Sequence, residues 1–485
     1  MRCIQSFRAA LILLLPFSLS AEWGLNSLSL QDAEQVALEN NKQYLISKES
    51  TYQAASRKNQ AISRFLPALG LKAEFREITP KEAFFNVFTG KFPFTHQGYS
   101  TIFQLDQPLF STDLIFGFTS KKYEETAVRF NQANTQNELL KAVRDSYYAV
   151  VAAQISVAIN RENVEYLSYA LQKEKERLQA GGATPFEVNQ SKTAVANAVS
   201  EYYTSLRVLK NARNNLILNL GVDPLLEPIM KLSQCNIPFL SIPELSLKME
   251  EVQKNYGYRL DDFSTTYDFT HQIRAIDQAK ELILFSPKEA EIYLNEAIQN
   301  RPDLASRKIL VSAAEEHLKS KQGHYAPNMQ GYVRYSYNDV TVGPDPFFSK
   351  PLHWSCGVVL SWNLFDSMLR ENEIREARSQ RASSRLMYDD QFQKVEVEIR
   401  NGLYQLEETI FSYLSANEAV LLAEQARFQA QEKLEYGRIS PLEYRDSVNQ
   451  LVLAKNLKNK ASFELIAAYY ELRYATGRDA NLKNL

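Results

Sequence analysis

Two stretches of this chain, 111–180 and 366–436, carry apolar residues at heptad spacing with almost nothing to interrupt a helix. In the first, Leu140, Val143, Tyr147, Val150 and Val157 fall on one stripe, and Ala142, Ser146, Ala149, Ala153 and Ser156 form a stripe of small residues beside it. Two adjacent contact stripes suit a helix with a partner on each side, as in a ring, although a long antiparallel hairpin fits the same spacing. Gly117 is the single glycine of the first stretch, Gly402 that of the second, and neither holds a proline. At about 1.5 Å per residue each helix would reach on the order of 100 Å. Shorter periodic segments predict a helix before each long one, at 30–64 and 290–323, and a return helix after it, at 185–220 and 441–476.

Ahead of each long helix the period drops to two. Leu69, Leu71, Ala73 and Phe75 alternate with Gly70, Lys72, Glu74 and Arg76, and Tyr99, Thr101, Phe103 and Leu105 alternate with Ser100, Ile102, Gln104 and Asp106. Val333, Tyr335 and Tyr337 alternate with Tyr332, Arg334 and Ser336. Trp354, Cys356, Val358, Leu360, Trp362 and Leu364 alternate with Ser355, Gly357, Val359, Ser361 and Asn363. Strand hairpins are therefore expected at 66–110 and 326–365. Residues 80–98, with Phe84, Phe85, Phe88, Phe92 and Phe94, and residues 339–352 read as their external loops. Strands of this kind, aromatic near their ends, suit lipid on one face and water on the other. Alternation alone favours a half-buried sheet of a soluble domain. The long helices offer no compact surface for such a sheet to cover, and four strands with free edges cannot face lipid. Three copies would supply twelve strands, within the range of known membrane barrels.

The order of elements is the same in both halves because the chain is duplicated. Leu178-Gln179-Ala180-Gly181-Gly182-Ala183-Thr184-Pro185-Phe186-Glu187 recurs as Leu434-Glu435-Tyr436-Gly437-Arg438-Ile439-Ser440-Pro441-Leu442-Glu443. The same offset pairs Arg144 with Arg400, Gly221 with Gly477 and Asp223 with Asp479. A slightly different offset upstream pairs Ala37 with Ala297, Asn40 with Asn300 and Pro67 with Pro327. The expected organisation is a first repeat over 22–223, an insertion over 224–289 and a second repeat over 290–485.

Composition adds the compartment. Arg2 and Arg8, the apolar run from Ala9 to Leu15, and Ser18-Leu19-Ser20-Ala21 read as a cleavable secretory signal over 1–21. The chain of 485 residues is 45% hydrophobic with a formal net charge of −2, which gives no electrostatic reason to expect nucleic acid. Its three cysteines, Cys3, Cys235 and Cys356, have no metal-site or disulfide spacing. No nucleophile motif, phosphate-binding glycine loop or metal-spaced histidine pair points to an enzyme, and no cofactor or metal is expected.

Gly181 and Gly437 suit the left-handed position that ends a helix. Thr184-Pro185-Phe186-Glu187 and Ser440-Pro441-Leu442-Glu443 then read as N-caps with proline at the first helical position and a capping-box glutamate.

The chain resembles the TolC-like outer membrane efflux protein family. The likeness rests on Leu30-Gln31-Asp32-Ala33, Ala37-Leu38-Glu39-Asn40-Asn41, Gln107-Pro108-Leu109-Phe110, the duplicated turns, Ala467-Ala468-Tyr469-Tyr470 and Ala475-Thr476-Gly477. It implies a mixed α and β membrane protein: a trimeric 12-stranded β-barrel, four strands per protomer, continuing into a long α-helical barrel. It also implies a homotrimer set in outer-membrane lipid and reaching into the periplasm, which passes efflux or type I secretion substrates from a periplasmic adaptor and an inner-membrane pump. A periplasmic coiled-coil adaptor or a structural envelope protein is the alternative. By the same resemblance the paired turns form a periplasmic tip and gate. Glu187, Glu443 and Asp446 match the family's acidic positions there. The family's tyrosine and arginine at the second turn are replaced by Leu434 and Ile439, with Tyr436, Arg438 and Arg445 close by.

Overall fold

The opening segment of each repeat is two helices where the periodicity predicts one. A computed structural model describes residues 28–78, 96–222, 287–340 and 352–479. The signal segment 1–21, Asp223, the insertion up to residue 286 and most of both strand loops lie outside the described residues. Helix α1 (Leu30–Asn40) stops at Asn41, which leaves the helical region (ψ 121°) and caps α2 (Lys42–Ser63) by accepting the Gln43 and Tyr44 N–H groups. In the second repeat α5 (Pro287–Asn300) and α6 (Pro302–Gln322) part at Arg301 (ψ 119°), because a residue before proline is disfavoured in the helical region.

The return helices dock on these breaks. Helix α4 (Pro185–Leu220) ends at Gly221 (φ 72°) and α8 (Pro441–Thr476) at Gly477 (φ 71°). A Cβ on Gly221 would lie 2.6 Å from the Asn40 carbonyl oxygen, and one on Gly477 would lie 2.8 Å from the Asn300 carbonyl. Asn41 Nδ2 also donates to the Asn219 carbonyl at 2.9 Å. Both repeats thus fold the same joint.

The long helices are α3 (Thr112–Gln179) and α7 (Leu369–Glu435), of 68 and 67 residues. Helix α7 starts three residues after the expected 366 because Ser367 and Met368 both hold positive φ. Both stripes of α3 are used. Leu140, Val143, Tyr147 and Val150 are buried, and so are Ser146 and Ala153 of the small-residue stripe. Toward its C-terminal end α3 lies between α4 and α8, and α8 packs on α7; toward its N-terminal end it lies between α2 and α6, and α6 packs on α7. Ser120 donates to the Ala313 carbonyl and Ser306 to the Ala127 carbonyl, both at 2.9 Å, so small polar residues bring α3 and α6 together. The helices form an open layer with α2 and α4 at one margin and α7 at the other.

Strands β1 (Ala68–Ile78), β2 (His96–Phe110), β3 (Asn328–Val340) and β4 (Leu352–Ser361) form an antiparallel sheet in chain order. The last strand ends at Ser361, so Trp362 to Phe365 lie beyond the ladder that the alternation predicts for them. Leu71 pairs with Phe103, Phe103 with Tyr335 and Tyr335 with Trp354; Leu69, Leu105, Val333 and Cys356 form the next row. This face is exposed, from 37% at Leu105 to 75% at Leu69. The other face is polar: Lys72 pairs with Glu74 at 3.3 Å, Gln104 donates to Asp106 at 2.8 Å, and Arg334 donates to Gln104 at 3.3 Å. Among the described residues no helix is long and apolar enough to cross a membrane.

Candidate functional site

Each long helix ends in the same closed turn. Gly182 N–H returns to the Arg177 carbonyl and Arg438 N–H to the Lys433 carbonyl, both at 2.8 Å, around Gly181 (φ 78°) and Gly437 (φ 67°). This pattern satisfies carbonyls that the helix end leaves free. Thr184 then caps α4: Glu187 N–H donates to Thr184 Oγ1 at 3.3 Å, and Thr184 N–H donates to Glu187 Oε2 at 2.6 Å. The backbone N–H and hydroxyl of Thr184 hold the Glu187 carboxyl below its usual range. At the second turn Ser440 accepts the Glu443 N–H at 3.3 Å and its hydroxyl donates to Glu443 Oε1 at 3.3 Å. Pro185 and Pro441 stand at the first helical positions.

The remaining candidates take two different settings. Tyr436 is 78% exposed at the second turn, with the Arg438 guanidinium 5.8 Å from its ring centre. Leu434, where the resemblance expects a tyrosine, is buried with Tyr444 and Val448, and Ile439 packs against that cluster. Glu443 and Asp446 are exposed on the first turns of α8. Arg445 instead lines a cleft of about 610 Å³ with Phe186, Asn163 and Glu201. Within α3, Glu174 is buried close to the tip; burial raises its carboxyl, Arg177 opposes this and Glu187 adds to it.

A polar cluster above the turns joins the two repeats, and the sequence reading did not find it. Lys455 of α8 contacts Glu162 of α3 at 2.8 Å and Glu424 of α7 at 3.7 Å. Tyr166 donates to Glu162, and the Arg427 guanidinium lies 4.9 Å from the Tyr166 ring centre while bonding Gln431 at 2.6 Å. Tyr169 and Gln431 both donate to Glu435 at 3.4 Å. Burial and the neighbouring Glu162 push the Tyr166 hydroxyl up to about 12. Burial works against ionised Glu162, yet Lys455 and Tyr166 hold it below its ordinary value. The residues are far apart in sequence and follow no motif, so only the register of α3 against α7 and α8 reveals them. Among the described residues no group of three or more His, Cys, Asp or Glu is placed to hold a metal ion.

The family model described as outer membrane efflux protein matches residues 31–222 and 293–478. The outer membrane efflux protein BepC of Brucella suis is 21% identical over 406 residues, covering 81% of this chain and 76% of BepC. The CmeC outer membrane channel of Campylobacter jejuni superposes with a TM-score of 0.72 at 14% identity, over 92% of this chain and 85% of CmeC. The outer membrane protein VceC of Vibrio cholerae gives a TM-score of 0.72 at 14% identity, over 92% and 96%.

Proposed function

The chain belongs to the outer membrane efflux protein family, an outer-membrane exit duct of efflux systems that extends into the periplasm, and we propose that three copies close it. The observation that carries this reading is the sheet: four strands, apolar and exposed on one face, polar on the other, with β1 and β4 at its margins. Such a sheet is satisfied in lipid only when copies join edge to edge. Twelve strands from three copies lie within the range of membrane barrels, and the margins formed by α2, α4 and α7 would close below them into a helical tunnel. An adaptor in the periplasm and a pump in the inner membrane complete the path. A periplasmic adaptor would need no lipid-facing strands, so the sheet and the family together favour the duct.

At the far end of the tunnel Glu187, Glu443 and Asp446 are proposed to narrow the opening, with Glu187 serving first as a cap. Glu443 and Asp446 in three copies would make a ring of carboxylates that admits cations and repels anions. Light scattering on the purified protein should give a mass three times that of the chain, and planar bilayers should show cation-preferring channels. Neutralising both acids (Glu443→Gln with Asp446→Asn) should remove that preference; unchanged selectivity would refute the ring, and a monomer that does not conduct would refute the duct.

A further inference from the structure

The cleft beside the tip is lined by groups that neither the turns nor the helix packing uses. Its floor is α3, with Asn163 and Leu167, and its walls are α4 and α8 of the same chain. Side-chain amides enter it from all three helices: Asn163 from α3, Asn189, Gln190 and Asn197 from α4, and Asn449 from α8. From Phe186 to Glu201 it follows α4 for about 22 Å, so its 610 Å³ form a groove more than a round cavity. Asn163 is 5% exposed and its Oδ1 has no hydrogen-bond partner. The last torsion of an asparagine is soft, so a small turn of this amide presents the oxygen to a donor in the groove. The hairpin itself does not require these amides. At the offset that pairs Gly221 with Gly477, Asn163, Asn197 and Glu201 correspond to Ala419, Leu453 and Leu457. The lower positions stay polar, with Asn189, Gln190 and Thr193 corresponding to Arg445, Asp446 and Asn449. The upper part of the groove thus belongs to the first repeat alone.

The lining selects among occupants. A helix laid into the groove would bring apolar anchors and a backbone already paired, leaving the covered amides without water and without new bonds. A linear saccharide carries hydroxyl donors and acceptors on every ring. An acetamido group adds an amide for the asparagines and a methyl for Leu167, Ala194 and Ala198. Phe186, 74% exposed at the lower end, offers an aromatic face to the C–H face of a sugar ring. We propose that this groove binds an N-acetylated amino-sugar oligomer, with Asn163 at its floor and Phe186 at its lower end. Two sources carry that chemistry: the glycan of the cell wall, through which a periplasmic duct passes, and an amino-sugar substrate in transit. All three walls belong to one chain, so the site does not depend on the trimer; only the second source rests on the duct reading.

The probe is tri-N-acetylchitotriose, titrated calorimetrically into the full-length protein in a detergent without a sugar headgroup. Saturable binding at one site per chain is expected. Asn163→Ala with Asn197→Leu, which installs the second-repeat residues, should weaken it at least tenfold while the melting temperature stays near that of the wild type. Phe186→Ala should weaken it several-fold. Maltotriose, with ring hydroxyls but no acetamido groups, should bind far more weakly. Sedimentation with purified cell-wall sacculi, lost in the double variant, would identify the wall as the source. Block of the single-channel current by the trisaccharide, lost in the same variant, would identify a substrate in transit. Absence of trisaccharide binding, equal binding of maltotriose or full binding by the double variant would overturn the proposal. So would a groove that captures an amphipathic helical peptide in place of the trisaccharide. A wild type that binds the trisaccharide but does not conduct would refute the duct and leave the site standing.

Discussion

At the residue scale the duplicated glycines divide into two kinds. All four hold positive φ, where an L side chain costs about 1–2 kcal/mol. Around Gly181 and Gly437 a Cβ would meet nothing within 4 Å, whereas at Gly221 and Gly477 it would strike the backbone of Asn40 and Asn300. Gly477→Ala should therefore lower the thermal transition well beyond Gly437→Ala, whose cost stays near that of the backbone alone; equal shifts in a melting series would show that the joint relaxes freely. The repeat made all four glycines legible in the sequence. Which pair is crowded depends on a helix break far along the chain, and local pattern does not carry that. Glu187 gives a second prediction at this scale. Its carboxyl is lowered, so its contribution to the cap is present above its ordinary value of 4.5 and is lost as pH falls through the lowered one. Hydrogen exchange over 181–190, corrected for intrinsic rates, should speed up only below pH 4.5, and in Thr184→Val the increase should begin at higher pH.

At the element scale the joints matter more than the long helices. Sequence alignment of the repeats pairs Arg144 with Arg400, but the structure gives them unlike work. Arg144 is buried and bridges Glu34 of α1 and Asp479, whereas Arg400 is exposed and meets Glu396 one turn away at 2.6 Å. The buried arginine of the second joint is Arg301, which bonds Asp303 and Glu398 at 2.6 Å and reaches the Ala475 carbonyl at 3.3 Å. Burial alone would raise Asp303; the bonds and charge of Arg301 outweigh it and hold the carboxyl below its ordinary value of 3.8. The stability tied to Asp303 is thus complete above that value and is lost as pH falls beneath it. Arg301→Ala leaves Asp303 buried without its partner and should cost about 3–5 kcal/mol. Arg400→Ala, an exposed pair, should cost under about 1 kcal/mol. Denaturant titration of the two variants distinguishes them. The break before Pro302 could be read from the sequence, since proline restricts the residue ahead of it. The break at Asn41 could not, because apolar spacing runs through it and only the cap on Gln43 and Tyr44 interrupts the helix.

At the scale of the whole molecule the sheet decides where the chain resides. The strand alternation was legible because a period of two is local, and the ladder places Leu71, Phe103, Tyr335 and Trp354 in one row as that alternation implies. Alternation does not say what lies against the apolar face. The answer comes from the helices, which leave that face uncovered, and from polar residues opposite that already bond one another, Arg334 to Gln104 across strands and Lys72 to Glu74 along one. In the proposed barrel, lipid on one side and water on the other would make unequal demands on substitutions at neighbouring rungs. An arginine at position 71 would sit in hydrocarbon and should cost about 2–4 kcal/mol near the midplane. An arginine at Ser355, beside Arg334 on the polar face, would be solvated in the lumen and should be tolerated apart from weak like-charge repulsion. Leu71→Arg should therefore deplete the heat-resistant oligomer in outer membranes, while Ser355→Arg assembles and shifts ion preference toward anions. Equal assembly of both variants would mean that the exposed apolar face meets protein or water instead of lipid, and the barrel would have to be abandoned even with the helical tunnel intact.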